Sequence, residues 1–320
     1  MNKKIAIITE NFYIPWTPND IDKFVAGCQE SLILFSEELA KNNYFVVVFS
    51  NGPVKIKSEV RKGVLYTPLI LIDFSEFDLL ILFKHNPFPR FLLPKTKIIY
   101  WSSDIEELNI IENKVCLTQF HADMNDWKNA YVIPHGIDMN SLNENKESRD
   151  ENMILYSSSP DRGLVTLIED WKKIQTFFPN LRLYITYGFQ IQKQLEKNLQ
   201  IPEQSEKSLV NACNELNITF LPSLNKKEFE SLYWKAKYWI LPLNDEKSEL
   251  FCLNAIKAQY CGCIPIVNKI GALKETVKDY IDYKDFVNGN LTITKGDNTI
   301  PLFSWSEVVK KWEKLFFESL

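Results

Sequence analysis

Short apolar runs ending in polar loops alternate with helix-spaced segments twice along this chain, and that double series restricts the fold more than any other feature. The first series contains Lys4–Thr9, Tyr44–Phe49, Leu79–Phe83, Lys97–Trp101, Val115–Thr118 and Tyr131–Pro134. Its first helix is expected over Gly27–Asn42, where Leu32, Ile33, Phe35, Leu39 and Ala40 recur at helical spacing. Runs that are apolar throughout suit strands buried on both faces, which is the habit of parallel sheets. The second series has strands at Met153–Tyr156, Leu181–Tyr187, Ile218–Leu221, Tyr238–Leu241 and Ile264–Val267. Helices are expected between them at Val165–Phe177, Ser205–Leu216 and Leu250–Tyr260. Residues 139–152 are polar, lack aromatics and read as a linker. The fold class is therefore α/β, with two doubly wound domains, 1–138 and 139–302, facing each other across a cleft. Residues 303–320 form an amphipathic helix carrying Trp305, Val308, Val309, Trp312, Leu315 and Phe316. It packs either on a domain surface or back on the first domain.

The length of 320 residues accommodates two such domains. With 41 acidic and 37 basic residues the formal charge is −4, which gives no pull toward nucleic acid. The six cysteines show neither a CxxC pair nor zinc-ligand spacing to histidine, so reduced, buried thiols are expected. Ile5–Ile8 is too short for a signal-peptide core, and no stretch has the length of a membrane span. A cytoplasmic protein with at most peripheral membrane contact is the expectation. Asp20-Ile21-Asp22 has the spacing of an acidic metal motif but precedes a helix rather than following a strand.

Chemistry concentrates in the second half. Pro242–Ser248 leaves a strand, and Ser248 is placed to cap the following helix. Free N–H groups in a first helical turn make a cradle for a diphosphate. Glu249 sits at that point. Arg162 follows a strand, three serines and a Pro-Asp turn, where a guanidinium can neutralise a leaving phosphate.

Three segments together resemble the retaining GT-B glycosyltransferases of family 4. They are Ile154–Leu164 (ILYSSSPDRGL), Ser248–Val267 (SELFCLNAIKAQYCGCIPIV) and Val132–Asp138 (VIPHGID), the last being similar to the family's PNGVD segment. Ala26–Glu30 is similar, more weakly, to its GGxE turn. The resemblance implies two Rossmann-like domains, an acceptor domain followed by a nucleotide-sugar donor domain. It implies sugar transfer with retention, no metal or other cofactor, and a glycan, lipid-linked glycan or small acceptor. Glu249 would bond the donor sugar hydroxyls. Ser158, Arg162 and the N–H groups of Leu250, Phe251 and Cys252 would meet the donor.

Two positions depart from the family pattern. Lys257 stands where a second Glu grips the ribose, and an ammonium cannot accept hydrogen bonds. Lys257 is expected to contact a phosphate or to point to solvent. Ser157 stands where a second basic residue is common. In the first domain Gly27 and His85 are candidates for acceptor contacts and Asp104 for catalysis, each beyond a strand end or at a helix mouth. His135 is expected to be an interdomain hinge contact, and Phe12, Tyr13 and Trp16 to form an aromatic loop. The rival readings are a degenerate GT-B protein that binds without transfer, and an epimerase or phosphorylase on the same fold.

Overall fold

In a computed structural model, the described residues are 3–9, 16–23, 27–50, 58–69, 73–84, 96–105, 111–186, 204–221, 224–245 and 249–318. They form two units, one of Met1–Ile21, Val25–Asp138 and Phe303–Leu320, the other of Asp22–Phe24 and Met139–Leu302.

The first unit contains β1 (Lys4–Thr9), α1 (Gly27–Lys41), β2 (Phe45–Ser50), β3 (Glu59–Arg61), β4 (Val64–Pro68), β5 (Leu79–Phe83), β6 (Lys97–Trp101), β7 (Asn113–Cys116), α2 (Gln119–Met124) and β8 (Tyr131–Val132). Its sheet order is β3-β4-β2-β1-β5-β6-β7-β8. All neighbouring strands are parallel except β3 and β4. The β3–β4 hairpin is absent from the sequence expectation. Its turn uses Lys62 and Gly63, both at positive φ, and lacks the Asn-Gly or Asp-Gly that marks such turns.

Trp305–Glu318 is the C-terminal helix of this unit. Its Trp312 ring lies 5.0 Å from Phe35 of α1 and 5.3 Å from Trp101 of β6. Lys97 Nζ donates to the carbonyls of Leu315 and Phe316 at 2.8 and 3.0 Å, placing a cation at the helix end that favours one. The VIPHGID segment packs on the start of this helix. Ile137 N–H donates to Phe303 O at 2.9 Å, and a Cβ at Gly136 would stand 2.9 Å from Trp305 N. His135 is buried, with its ring 5.4 Å from Trp101 and 6.1 Å from Trp305, and burial holds the imidazole neutral with a pKa of about 3.

The second unit runs α3 (Met139–Glu144), β9 (Asp150–Tyr156), α4 (Leu164–Phe177), β10 (Arg182–Ile185), α5 (Gln204–Glu215), β11 (Thr219–Phe220), α6 (Lys226–Lys235), β12 (Ala236–Leu241), α7 (Leu253–Tyr260), β13 (Ile264–Val267), α8 (Leu273–Thr276), β14 (Ile281–Asp282) and α9 (Tyr283–Val287). Its sheet, β11-β10-β9-β12-β13-β14, is parallel throughout. The polar stretch 139–152 is a helix and the beginning of a strand rather than a linker. Leu142 is fully buried there, and Ser141 and Asn145 donate to Glu230.

From β9 the chain winds one way to β10 and β11, then restarts beside β9 with β12 and winds the other way. A switch point of this kind opens a crevice beyond the strand carboxyl ends, because the two following loops part. Gly163 sets their spacing. It has φ +86°, and a Cβ there would come within 2.1 Å of Pro242 O, in the loop after β12. Gly163→Ala therefore combines a left-handed backbone with a clash, and a loss of at least about 1–2 kcal/mol in denaturant melts is expected. A loss below about 0.5 kcal/mol, the range of neutral surface substitutions, would contradict this packing.

Candidate active site

The loop after β9 and the loop after β12 bring the two strongest sequence candidates together. Tyr156 Oη donates to Ser159 O at 2.7 Å, and Arg162 N–H donates to the same carbonyl at 3.0 Å. The loop is thus folded back on its own strand before α4 begins. On the other side, Asn244 Nδ2 donates to Thr166 Oγ1 at 2.9 Å, and Asn268 Nδ2 to Leu243 O at 3.1 Å. These bonds hold the loop that leads to Glu249.

The Glu249 carboxylate accepts the N–H of Phe251 and feels the charge of Arg162. Burial dominates its titration and lifts it to about 7; Arg162 and the Phe251 bond oppose this, and Asp161 adds to it. At neutral pH this carboxyl exists in both forms, able to donate or accept a hydrogen bond. The Arg162 Nε lies 3.4 Å from Asp161 Oδ2, and the side chain is 26% exposed. Its Nη1 is buried and has no hydrogen-bond partner among the described residues. An unmet buried donor costs about 1–3 kcal/mol, more when charged, and an anionic oxygen beside it removes that cost. The crevice therefore presents an inward, unsatisfied cationic donor next to a carboxyl near its midpoint.

The helix start differs from the sequence expectation. α7 begins at Leu253 with Cys252 as N-cap, and no capping side chain bonds its first turn. Leu250, Phe251 and Cys252 precede the helix, and the Phe251 N–H is taken by Glu249. Three N–H groups of Leu250, Phe251 and Cys252 are thus not a free first turn. Ser248, the expected cap, lies outside the described residues. The Cys252 thiol is buried, and burial together with the Glu249 charge keeps it protonated. Ser158 is buried in the loop after β9.

Residues 139–298 match the family described as "Glycosyl transferases group 1", which is half of the chain. This chain belongs to that family. A curated relative, the lipopolysaccharide 1,2-N-acetylglucosaminetransferase of Salmonella typhimurium (strain LT2), is 23% identical over 163 residues, 47% of this chain and 41% of the relative. The chain therefore spans less than half the length of that relative in the match. Among solved structures, AviGT4, a glycosyltransferase involved in avilamycin A biosynthesis, superposes with TM-score 0.66 at 11% identity, over 98% of this chain and 97% of that one. HepE (Alr3699) of Anabaena in complex with UDP-glucose superposes with TM-score 0.59 at 11% identity, over 98% and 90%. These likenesses show the GT-B fold, so the α/β expectation of two Rossmann-like domains agrees with them.

Within this group 1 glycosyltransferase chain, Lys257 departs from expectation. It is 4% exposed on α7, so it does not point to solvent, and its charge favours the ionised form of the Glu230 carboxyl of α6. Glu230 is 1% exposed, accepts from Ser141 Oγ at 2.7 Å and Asn145 Nδ2 at 2.9 Å, and has Lys226 Nζ at 3.7 Å. Burial raises its pKa, and the surrounding cations and donors oppose that rise. Lys226 and Lys257 are the cations whose charges act on this buried carboxyl.

In the first unit of the chain, Asp104 follows β6, is 54% exposed, and pairs with Lys84 Nζ at 2.9 Å beyond β5. Its backbone is fixed from behind. His121 accepts the Leu117 N–H at Nδ1 (3.3 Å), so Nε2 carries the proton and donates to Asp104 O at 2.9 Å. Ser102 Oγ and Asn125 Nδ2 donate to the same carbonyl. Gly27 opens α1 and is exposed. His85, Phe12 and Tyr13 lie outside the described residues, whereas Trp16 is buried, edge-on to Tyr66.

The residues that sequence reasoning missed around the Glu249 site are Tyr233, Trp239 and Asn254. They converge on Ser157. The one hint in the sequence is a polar Asn254 in the first turn of its helix, between Leu253 and the apolar Ala255-Ile256.

Proposed function

We propose that this chain transfers a sugar from a nucleoside-diphosphate sugar to a hydroxylated acceptor, a glycan, a lipid-linked glycan or a small molecule. The observation that carries this reading is the unsatisfied Arg162 Nη1 beside Glu249, at the switch point of a parallel sheet. In the proposed step the bond from the anomeric carbon to the diphosphate oxygen breaks, and the electron pair leaves with the diphosphate. Arg162 meets that developing charge in a partly desolvated site. The acceptor oxygen bonds to the same face of the anomeric carbon, and its proton passes to the leaving phosphate, so configuration is retained. Glu249 holds the donor sugar through its hydroxyls. No metal or other cofactor enters this scheme, and the acceptor is assigned to the first unit, with Gly27, His85 and Asp104 as contacts. The relatives support a hexose-type donor: one is a 1,2-N-acetylglucosaminetransferase and another was solved with UDP-glucose.

The test is release of nucleoside diphosphate from UDP-, GDP-, ADP- and dTDP-sugars without added metal. Release from one donor class, faster with acceptor, is the expected result. Binding without release would favour a degenerate binding protein, for which Lys257 and Ser157 are the motive. Interconversion of the sugar nucleotide would favour an epimerase.

A further inference from the structure

The loop that carries Arg162 and the helix that follows Glu249 are joined by a closed set of hydrogen bonds. Asn254 Nδ2 donates to Ser157 O at 2.6 Å. Asn254 Oδ1 accepts from Tyr233 Oη at 2.9 Å. Tyr233 Oη lies 3.3 Å from Ser157 Oγ, which also accepts from Trp239 Nε1 at 2.9 Å. The protons can be assigned one way. Trp239 N–H is only a donor, so it donates to Ser157 Oγ; the serine hydroxyl donates to Tyr233 Oη; the tyrosine hydroxyl donates to Asn254 Oδ1. A flipped amide would put Asn254 Oδ1 against the Ser157 carbonyl oxygen, two acceptors face to face, so the orientation is fixed.

The tie has a particular place. Ser157 stands five residues before Arg162, and Asn254 five residues after Glu249. The other two members come from α6 and β12, so the loop after β9 meets three later parts of the chain at one point. Ser157, Tyr233 and Trp239 are buried. Apolar side chains of similar size would fill that space with little loss of stability, because a buried hydrogen bond contributes little net. What a satisfied buried network adds is a unique geometry.

We propose that Asn254 is a positioning residue, which holds the Arg162 loop at a set distance from the Glu249 segment and so fixes the diphosphate site. The proposal rests on the donor-site reading above. A displacement of about 1 Å in such a site can cost on the order of 100-fold in activity.

The test is calorimetric titration of wild type, Asn254→Leu and Tyr233→Phe with UDP, GDP, ADP and dTDP and with the parent nucleosides, beside thermal melts. Asn254→Leu is expected to weaken binding of the preferred diphosphate by about tenfold, the scale of one lost hydrogen bond at a charged site, while nucleoside affinity stays within about twofold. Tyr233→Phe removes one hydroxyl from the same set and keeps the bond to Ser157 O; a smaller loss of about threefold is expected, and it carries the test if Asn254→Leu does not fold. Lower melting temperatures with unchanged diphosphate affinity would overturn the proposal, since a merely structural tie predicts that. If wild type itself binds no diphosphate, the donor-site reading fails first; if wild type binds and the variants bind equally, only the positioning role is lost.

Discussion

Glu249→Gln is expected to lower donor-sugar turnover by about 100- to 1000-fold, the usual cost of removing one preorganised polar group at a reacting centre. The amide keeps an oxygen that can accept the Phe251 N–H, so the local backbone should hold. It removes the group that at neutral pH is both donor and acceptor. Retained turnover in Glu249→Gln would remove this residue from the site. The same variant has a second, independent readout. Glu249 is raised from 4.5 to about 7 in the folded chain. Between those values the unfolded chain has released the proton and the folded chain still binds it. Stability therefore falls as pH rises through that window and levels off above it. Glutamine has no such penalty. Partial exposure of Glu249 discounts the full shift, so Glu249→Gln should gain about 1–2 kcal/mol relative to wild type between pH 4.5 and pH 8. An equal stability difference at both pH values would show that the carboxyl is not buried as described.

Arg162→Ala is expected to weaken nucleoside-diphosphate binding by about 10- to 100-fold, as loss of a charge-assisted contact does. Nucleoside binding should change by less than about twofold, since the proposed site sets the guanidinium against the phosphate and not the base. Because Arg162 holds the Glu249 pKa down, its removal should also move Glu249 further up. Equal losses for diphosphate and nucleoside would mean that Arg162 supports the fold of the loop rather than the anion.

The strands were the legible part of this chain. Ile264–Val267 has the same bounds in sequence and structure, because an unbroken apolar run bounded by a Cys-Gly-Cys turn and a polar Asn has few alternatives. Helix starts were harder. Leu250 and Phe251 read as a first helical turn, yet the Glu249 side chain captures the Phe251 N–H and delays the helix to Leu253. Residues 139–152 looked like a linker because their one buried apolar side chain, Leu142, gives no periodicity. Their polar groups serve Glu230, which lies 89 residues beyond Ser141. The burial of Lys257 is hidden for the same reason: the Glu230 carboxyl on which its charge acts sits on another helix, and spacing along one helix cannot show it. His135 sits between Trp101 and Trp305, which are brought to it only by folding. That Arg162 and Glu249 come near one another is legible, since both follow strand ends on either side of a chain reversal, where a doubly wound sheet gathers its ligands.

The most direct test of the central claim is calorimetric titration of the wild-type chain with UDP, GDP, ADP and dTDP beside their nucleosides, without added metal. The account predicts one diphosphate bound at least about tenfold more tightly than its nucleoside, a difference that Arg162→Ala erases. Binding of no diphosphate, or of diphosphate and nucleoside with the same affinity, would contradict an anion site at Arg162.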